Sequence, residues 1–215
     1  MLATTRQPCI VVGVKGALGL AGFVLVLLLS ACGDSGPVVL GEPVPLSDAA
    51  SGLIVEELRE RAIADENARA TASTDDDFRE VLDIDADNTQ WLRDQVTEVG
   101  WIDVDRFGSQ AADDALLLVQ HSDDLALMQA VLPDVEEDAR AGLILPDTFA
   151  QLFDRTQLIA GGEQRYGSQL NTTVEGSLVL APIESLDQVD EFRTELGLVP
   201  LAEYLDSFGE PVALE

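Results

Sequence analysis

Leu116-Leu117-Leu118-Val119 is the stretch that most constrains how this 215-residue chain can fold. It lies within residues 110–121, whose spacing predicts a helix, and it leaves one full turn of that helix apolar on every side. A helix with no polar face has to be enclosed by other elements, so the fold is expected to be layered around this segment.

The neighbouring sequence supplies the layers. From Ser47 onward Leu53, Ile54, Leu58, Ala62 and Ile63 recur at three- and four-residue spacing, with Asp65 and Arg69 as an i,i+4 pair. The acidic Asp75-Asp76-Asp77 reads as an interruption, and a second helix is expected from Asp87 or Asn88, carrying Trp91, Leu92, Val96 and Val99 up to Gly100. Ser109 is the expected cap of the central helix. Asp123 is the expected cap of the next, where Leu125, Met128, Leu132 and Val135 form a stripe that Pro133 should kink. A helix after Pro146 presents Phe149, Leu152, Phe153 and Ile159 and stops at Gly161-Gly162. Residues 164–170 and 177–181 flank a turn-rich Asn-Thr-Thr-Val-Glu-Gly segment and read as two paired strands. Ser185 is expected to cap a helix to Leu196 that Gly197 ends, and Pro200 to open a short helix through Phe208. The predicted class is mainly α (α+β by the letter): one helical domain with a small β-hairpin near residues 164–181.

The amino terminus has a different character. Arg6 and Lys15 precede an apolar run from Ala17 to Leu29, which closes on small residues and a cysteine, Leu29-Ser30-Ala31-Cys32. This order resembles the lipobox of a bacterial lipoprotein precursor. The resemblance implies cleavage before Cys32, diacylglycerol on its thiol, acylation of the new amino group and a location on the extracytoplasmic face of the cell membrane. An uncleaved membrane anchor is the alternative, which Lys15 disfavours by interrupting the apolar span. The expected organisation is a signal peptide over 1–31, a lipidated cysteine and flexible Gly/Pro-rich tether over 32–47, and the helical domain over 48–215. Such a tether, fully extended, would stand the domain roughly 40 Å from the bilayer.

Removing residues 1–31 leaves ten arginines, no lysine and 40 acids, a formal charge of −30. That charge repels phosphates and anionic headgroups, so nucleic acid is not an expected partner and the lipid must make the membrane contact. Salt tolerance and solubility are the plain reading of the acidity. With Cys9 removed and Cys32 lipidated, no thiol is left for a disulfide, a nucleophile or a metal, and no cofactor is expected.

Asp83-Ile84-Asp85-Ala86-Asp87 imitates the start of a calcium loop. It lacks the glycine at the sixth position, where Asn88 stands, and the closing glutamate, where Asp94 stands. These acids read instead as favouring the positive end of a following helix. Beyond them lies a series of polar and aromatic clusters: Asn88-Thr89-Gln90-Trp91-Leu92, Gly100-Trp101, Gln120-His121-Ser122-Asp123, Asp154-Arg155 and Gln164-Arg165-Tyr166-Gly167-Ser168-Gln169. Their order and spacing resemble a family of bacterial proteins known as domain of unknown function 6624, over roughly residues 50 to 206. Its pattern is N-T-x-W-L, G-W-P, Q-H-A-D, D-R and Q-x-Y-G-T-Q. Ile102 replaces the proline after Trp101, Ser122 an alanine and Ser168 a threonine. The resemblance implies a shared fold and a candidate site, without a reaction.

His121, the only histidine, is the candidate general base, with Asp123 or Asp154 to orient it. Gln120, His121, Arg155, Gln164, Tyr166 and Gln169 are the candidate ligand-binding set. Gln164 and Tyr166 are pictured as a polar wall facing His121 and Arg155. The same residues can instead be a hydrogen-bond network that fixes the hairpin to the helices. One histidine without a thiol or a second histidine gives no expected metal site, with histidine plus carboxylates the one set left open. Three functions follow: an envelope lipoprotein that binds a small ligand or another envelope protein, an extracytoplasmic hydrolase or transferase using His121, or a structural envelope component.

Overall fold

The computed structural model describes residues 36–173, 176–209 and 211–214. The signal segment and Cys32 lie outside the described residues, among which no helix is long and apolar enough to cross a membrane. Helix α1, Asp48–Thr71, starts at Ser47, whose hydroxyl accepts from the Ala50 amide. Helix α2, Asp75–Val99, begins 12 residues earlier than the sequence suggests. Asp75-Asp76-Asp77 starts it instead of interrupting a helix. Thr74 and Asp77 form a reciprocal capping box, and the three acids sit at the positive end of the helix dipole. The amides of Ser73 and Thr74, with the Thr74 hydroxyl, hold the Asp77 carboxyl below the ordinary range. Asp83 to Asp87 are therefore mid-helix: they neither form a calcium loop nor sit at a helix start.

Gly100, at φ 80°, ends α2 as expected, and a short α3, Val104–Phe107, follows under an Asp103 cap. The central helix α4 spans Ser109–His121, but Gly108 occupies its cap position and Ser109 is already helical. Helix α5, Leu125–Arg140, is capped by Asp124, not Asp123: its carboxylate accepts from the Leu127 amide at 3.0 Å. Asp123 itself takes φ 50°, which turns the chain between the two helices. Pro133 is accommodated inside α5. Helix α6 is Pro146–Ile159, with proline in the first turn, where its missing N–H is harmless.

Leu170–Thr172 (β1) and Leu178–Leu180 (β2) pair antiparallel with Leu170 opposite Leu180, and Val212–Ala213 (β3) adds parallel to β2. Residues 164–169, expected to be strand, are not. Only Gln164 makes an isolated bridge, to Ile183, and the segment is held by side chains instead. Helix α7, Val189–Leu196, begins past Ser185, with Gln188 at its cap position, ends at left-handed Gly197 and is followed by α8, Leu201–Asp206.

Helix α4 packs against α1, α2, α3, α5 and α6. Its Ala112, Ala115, Leu116, Leu118 and Val119 are fully buried and Leu117 is half-buried, so the all-apolar turn is enclosed on all but one side. The main core collects α1 to α6, and a smaller one lies under the sheet, α7 and α8.

Residues 36–46, expected to be a flexible tether, are a docked strap. The Gly41 amide donates to the Val96 carbonyl at 2.9 Å, and Arg93 Nη2 donates to the Gly36 carbonyl at 2.6 Å. Val38, Leu40 and Leu46 pack against the core. Gly41 lies so close to α2 that a Cβ there would stand 2.4 Å from the Thr97 carbonyl oxygen, an approach only glycine permits.

Candidate functional site

Three helices converge on His121 at the end of α4. Asp65 and Arg69 come from α1 and Asp85 from α2. Asp65 Oδ2 lies 2.8 Å from His121 Nδ1, while Arg69 Nε is 3.1 Å from that same nitrogen and 3.1 Å from Asp65 Oδ1. Arg69 Nη2 donates to Asp85. Asp65 is fully buried. Burial works to raise its carboxyl, but the His121 hydrogen bond and the nearby His121 and Arg69 charges outweigh it and hold Asp65 below the ordinary range. Burial lowers His121 below 6.5 despite Asp65, which favours the neutral imidazole. Burial also pushes Asp85 up to about 7, helped by Asp65 and opposed by Arg69.

These directions give a pH dependence. Because Asp85 binds its proton more tightly folded than unfolded, its contribution to stability is full below about pH 4 and fades as pH rises towards 7. In chelator-containing buffer, wild-type protein should therefore lose stability relative to Asp85→Asn across that range, by up to about 1.4 kcal/mol per pH unit. The depressed His121 acts in the opposite sense below pH 6.5, but it does so in both proteins. Urea melts at half-unit steps measure the difference, and parallel curves would show that Asp85 stays ionised.

Next to this cluster, Arg155 of α6 donates through Nη2 to Asp123, and only 5% of the residue is exposed. Its Nε and Nη1 are buried and have no hydrogen-bond partner among the described residues. Burial pushes its pKa down against the pull of Asp123. A cleft of about 30 Å³ opens here, lined by Gln120, His121, Gln151, Arg155, Ser168 and Gln169. Gln169 Nε2 donates to the Gln151 carbonyl at 3.2 Å, and its Oε1 has no partner among the described residues.

The sequence-predicted set thus divides. Gln120, His121, Arg155 and Gln169 meet at the cleft, with Asp123 bound to Arg155. Asp154, Gln164 and Tyr166 do not face His121 as expected. Asp154 Oδ1 accepts from the amides of Arg165 and Tyr166 at 2.8 and 3.0 Å, and Oδ2 accepts from the amide and hydroxyl of Ser168 at 2.9 and 2.8 Å. Gln164 donates to the carbonyls of Gln169 and Ala181 and accepts from the Gln169 amide at 2.9 Å. The Tyr166 ring packs edge-on against Phe149 and Phe153. These three clasp the 164–169 segment to α6 and the sheet, and none of them lines the cleft.

Asp65, Arg69, Asp85 and Gln151 were missed as site residues. A signal was present for the acids. Asp65 interrupts the buried α1 stripe at the 58, 62, 65, 69 spacing, and Asp85 falls between Val81 and Asn88 on the buried stripe of α2. A carboxylate on an apolar stripe has to find a partner inside the fold.

Residues 56–214 match the Family of unknown function (DUF6624). The chain belongs to that family. Every cleft and cluster residue of this DUF6624 protein lies within the matched segment, and the docked strap precedes it. No curated protein and no solved structure matches the chain. Of the departures from the family pattern, Ile102 is fully buried in the core, and Ser168 keeps the hydroxyl that binds Asp154.

Proposed function

We propose that this DUF6624 protein is a lipoprotein of the bacterial envelope, anchored through Cys32 on the extracytoplasmic face, whose helical domain binds a small anionic group in the cleft between His121 and Arg155. One observation carries the ligand reading: the Arg155 guanidinium is buried, and two of its three nitrogens have no partner among the described residues. Burying a cation without full pairing costs several kcal/mol, and an anion in the cleft removes that cost. The cleft admits a carboxylate or phosphate oxygen but not a bulky body, since about 30 Å³ corresponds to one or two waters. The Gln169 Oε1 acceptor fits a ligand with a hydroxyl or amine beside its anionic group.

Arg155→Met tests this. The full chain in detergent is titrated with inorganic phosphate and with glycolate, following the arginine Nε–H and imidazole NMR signals. Saturable shifts are expected in wild type and not in Arg155→Met. The melting temperature of the mutant should be within about 3 °C of wild type, because the substitution removes an incompletely paired buried charge while half-buried Asp123 can turn to water. Loss of stability without any wild-type ligand shift would mark Arg155 as a purely structural cation.

The Asp65 hydrogen bond favours a second reading. With Nδ1–H donated to Asp65, neutral His121 carries its lone pair on Nε2, the arrangement of a general base oriented by a carboxylate. On that reading the protein is a hydrolase or transferase, and a pH–rate profile governed by a group below 6.5 would identify it.

A further inference from the structure

We propose that Asp65, Asp85 and His121 form a binding site for a divalent transition-metal ion of the Zn²⁺ or Mn²⁺ kind, and that the Arg69 guanidinium occupies it when the metal is absent. The inference does not depend on the anion-binding reading. The three residues come from three different helices, yet each offers a ligand atom within 4.8 Å of the others. Two carboxylates and one imidazole, with a fourth position left for water or substrate, make a common donor set for such ions. The nitrogen ligand argues against Mg²⁺ and Ca²⁺, which take oxygen.

In the metal-free site His121 Nδ1 is shared between two neighbours, 2.8 Å from Asp65 Oδ2 and 3.1 Å from Arg69 Nε. With Nδ1 protonated, both N–H groups turn to Asp65, the imidazole to Oδ2 and Arg69 Nε to Oδ1 at 3.1 Å. Arg69 Nη2 meanwhile donates to Asp85, so one guanidinium bridges the two carboxylates where a cation would sit. A metal ion in its place lets Nδ1 and both carboxylates all act as electron-pair donors.

Arg69 is placed to give way. It stands in the last turn of α1 and its side chain is 29% exposed, so its flexible stem can carry the charge out to water without repacking the core. The charge then balances. With Asp65, Asp85, Asp123 and Arg155 ionised, a divalent ion in place of Arg69 leaves the cluster neutral. Arg155, incompletely paired among the described residues, lines the same cleft as His121 and leaves a place for a ligand beside the ion.

The full chain in detergent, stripped with chelator, is titrated with ZnCl₂ by calorimetry in excess Mg²⁺, and separately with MnCl₂ while the imidazole NMR signals are observed. One equivalent of Zn²⁺ should bind. Asp85→Asn and His121→Gln should weaken binding at least tenfold, and Arg69→Met should tighten it by removing the competing cation. Since His121 is the only histidine, its ring signals are unambiguous, and substoichiometric Mn²⁺ should broaden them before it broadens the exposed carboxylates. The wild-type Mn²⁺ measurement needs no mutant, so it decides the matter even if a variant fails to fold. Binding that survives both Asp85→Asn and His121→Gln, an Arg69→Met variant that binds no tighter, or histidine signals that Mn²⁺ leaves sharp would each overturn the site.

Discussion

Asp154→Ala should release residues 164–169 from α6 and destabilise the protein by about 3–5 kcal/mol. The carboxylate is fully buried and accepts three backbone amides and one hydroxyl, all from a segment with no strand ladder of its own. Removing it strands those donors in the interior, and the loop has no other hold on α6 of comparable strength. Asp154→Asn should lose about half as much, since the amide oxygen can replace one carboxylate oxygen while its NH₂ meets donors on the other side. Urea denaturation gives both values. A loss below about 1 kcal/mol in Asp154→Ala would mean that Gln164, Arg193 and the Gln169–Gln151 bond hold the segment without it.

Leu118→Asp should leave no folded protein at room temperature. Leu118 is about 1% exposed in the helix that five others enclose, and an aspartate there has no partner, a penalty beyond the roughly 4–5 kcal/mol that marks the extreme of single substitutions. Leu117→Asp, one residue away on the half-buried side, should cost far less and give a folded protein. Circular dichroism on the pair reads the orientation of α4 directly. Equal behaviour would mean that the helix is rotated from the position described.

The helical architecture was legible because it rests on periodicity, and α4, α5 and α6 lie where their apolar stripes predict. Capping was less legible. Asp123 and Asp124 are equally good caps on paper, and only the positive φ of Asp123 assigns the role to its neighbour. The acidic start of α2 was misread because three consecutive acids suggest a solvated break, whereas a Thr74 cap turns the same acids into a helix start. At the site, His121 and Arg155 stood out as chemically rich residues. Asp65 and Asp85 did not, because their partners lie on other helices and no local spacing brings those together. The Gln164 segment misled for a related reason. Its place before a turn-rich segment and an apolar run imitates the first strand of a hairpin, but its amides and carbonyls are satisfied by Asp154, Gln164 and Arg193, whose Nη1 donates to the Tyr166 carbonyl at 2.6 Å.

The docked strap changes what a lipid on Cys32 would do. Only four residue steps separate Cys32 from Gly36, whose carbonyl is already bound to Arg93, so a fully extended leash between them spans about 14 Å. Against a free tether reaching roughly 40 Å, the volume the domain can sweep shrinks about twentyfold, and its local concentration against anything in the same membrane rises accordingly. On the proposed lipid anchor, a domain moored this close would meet partners embedded in or lying on its own bilayer and would have little reach for those farther off. A lipid on Cys32 would also be tied to the carboxyl-terminal half of α2, along which the strap docks, so lengthening the Gly33–Gly36 spacer, with the strap left intact, would act as a dial on the protein's working radius.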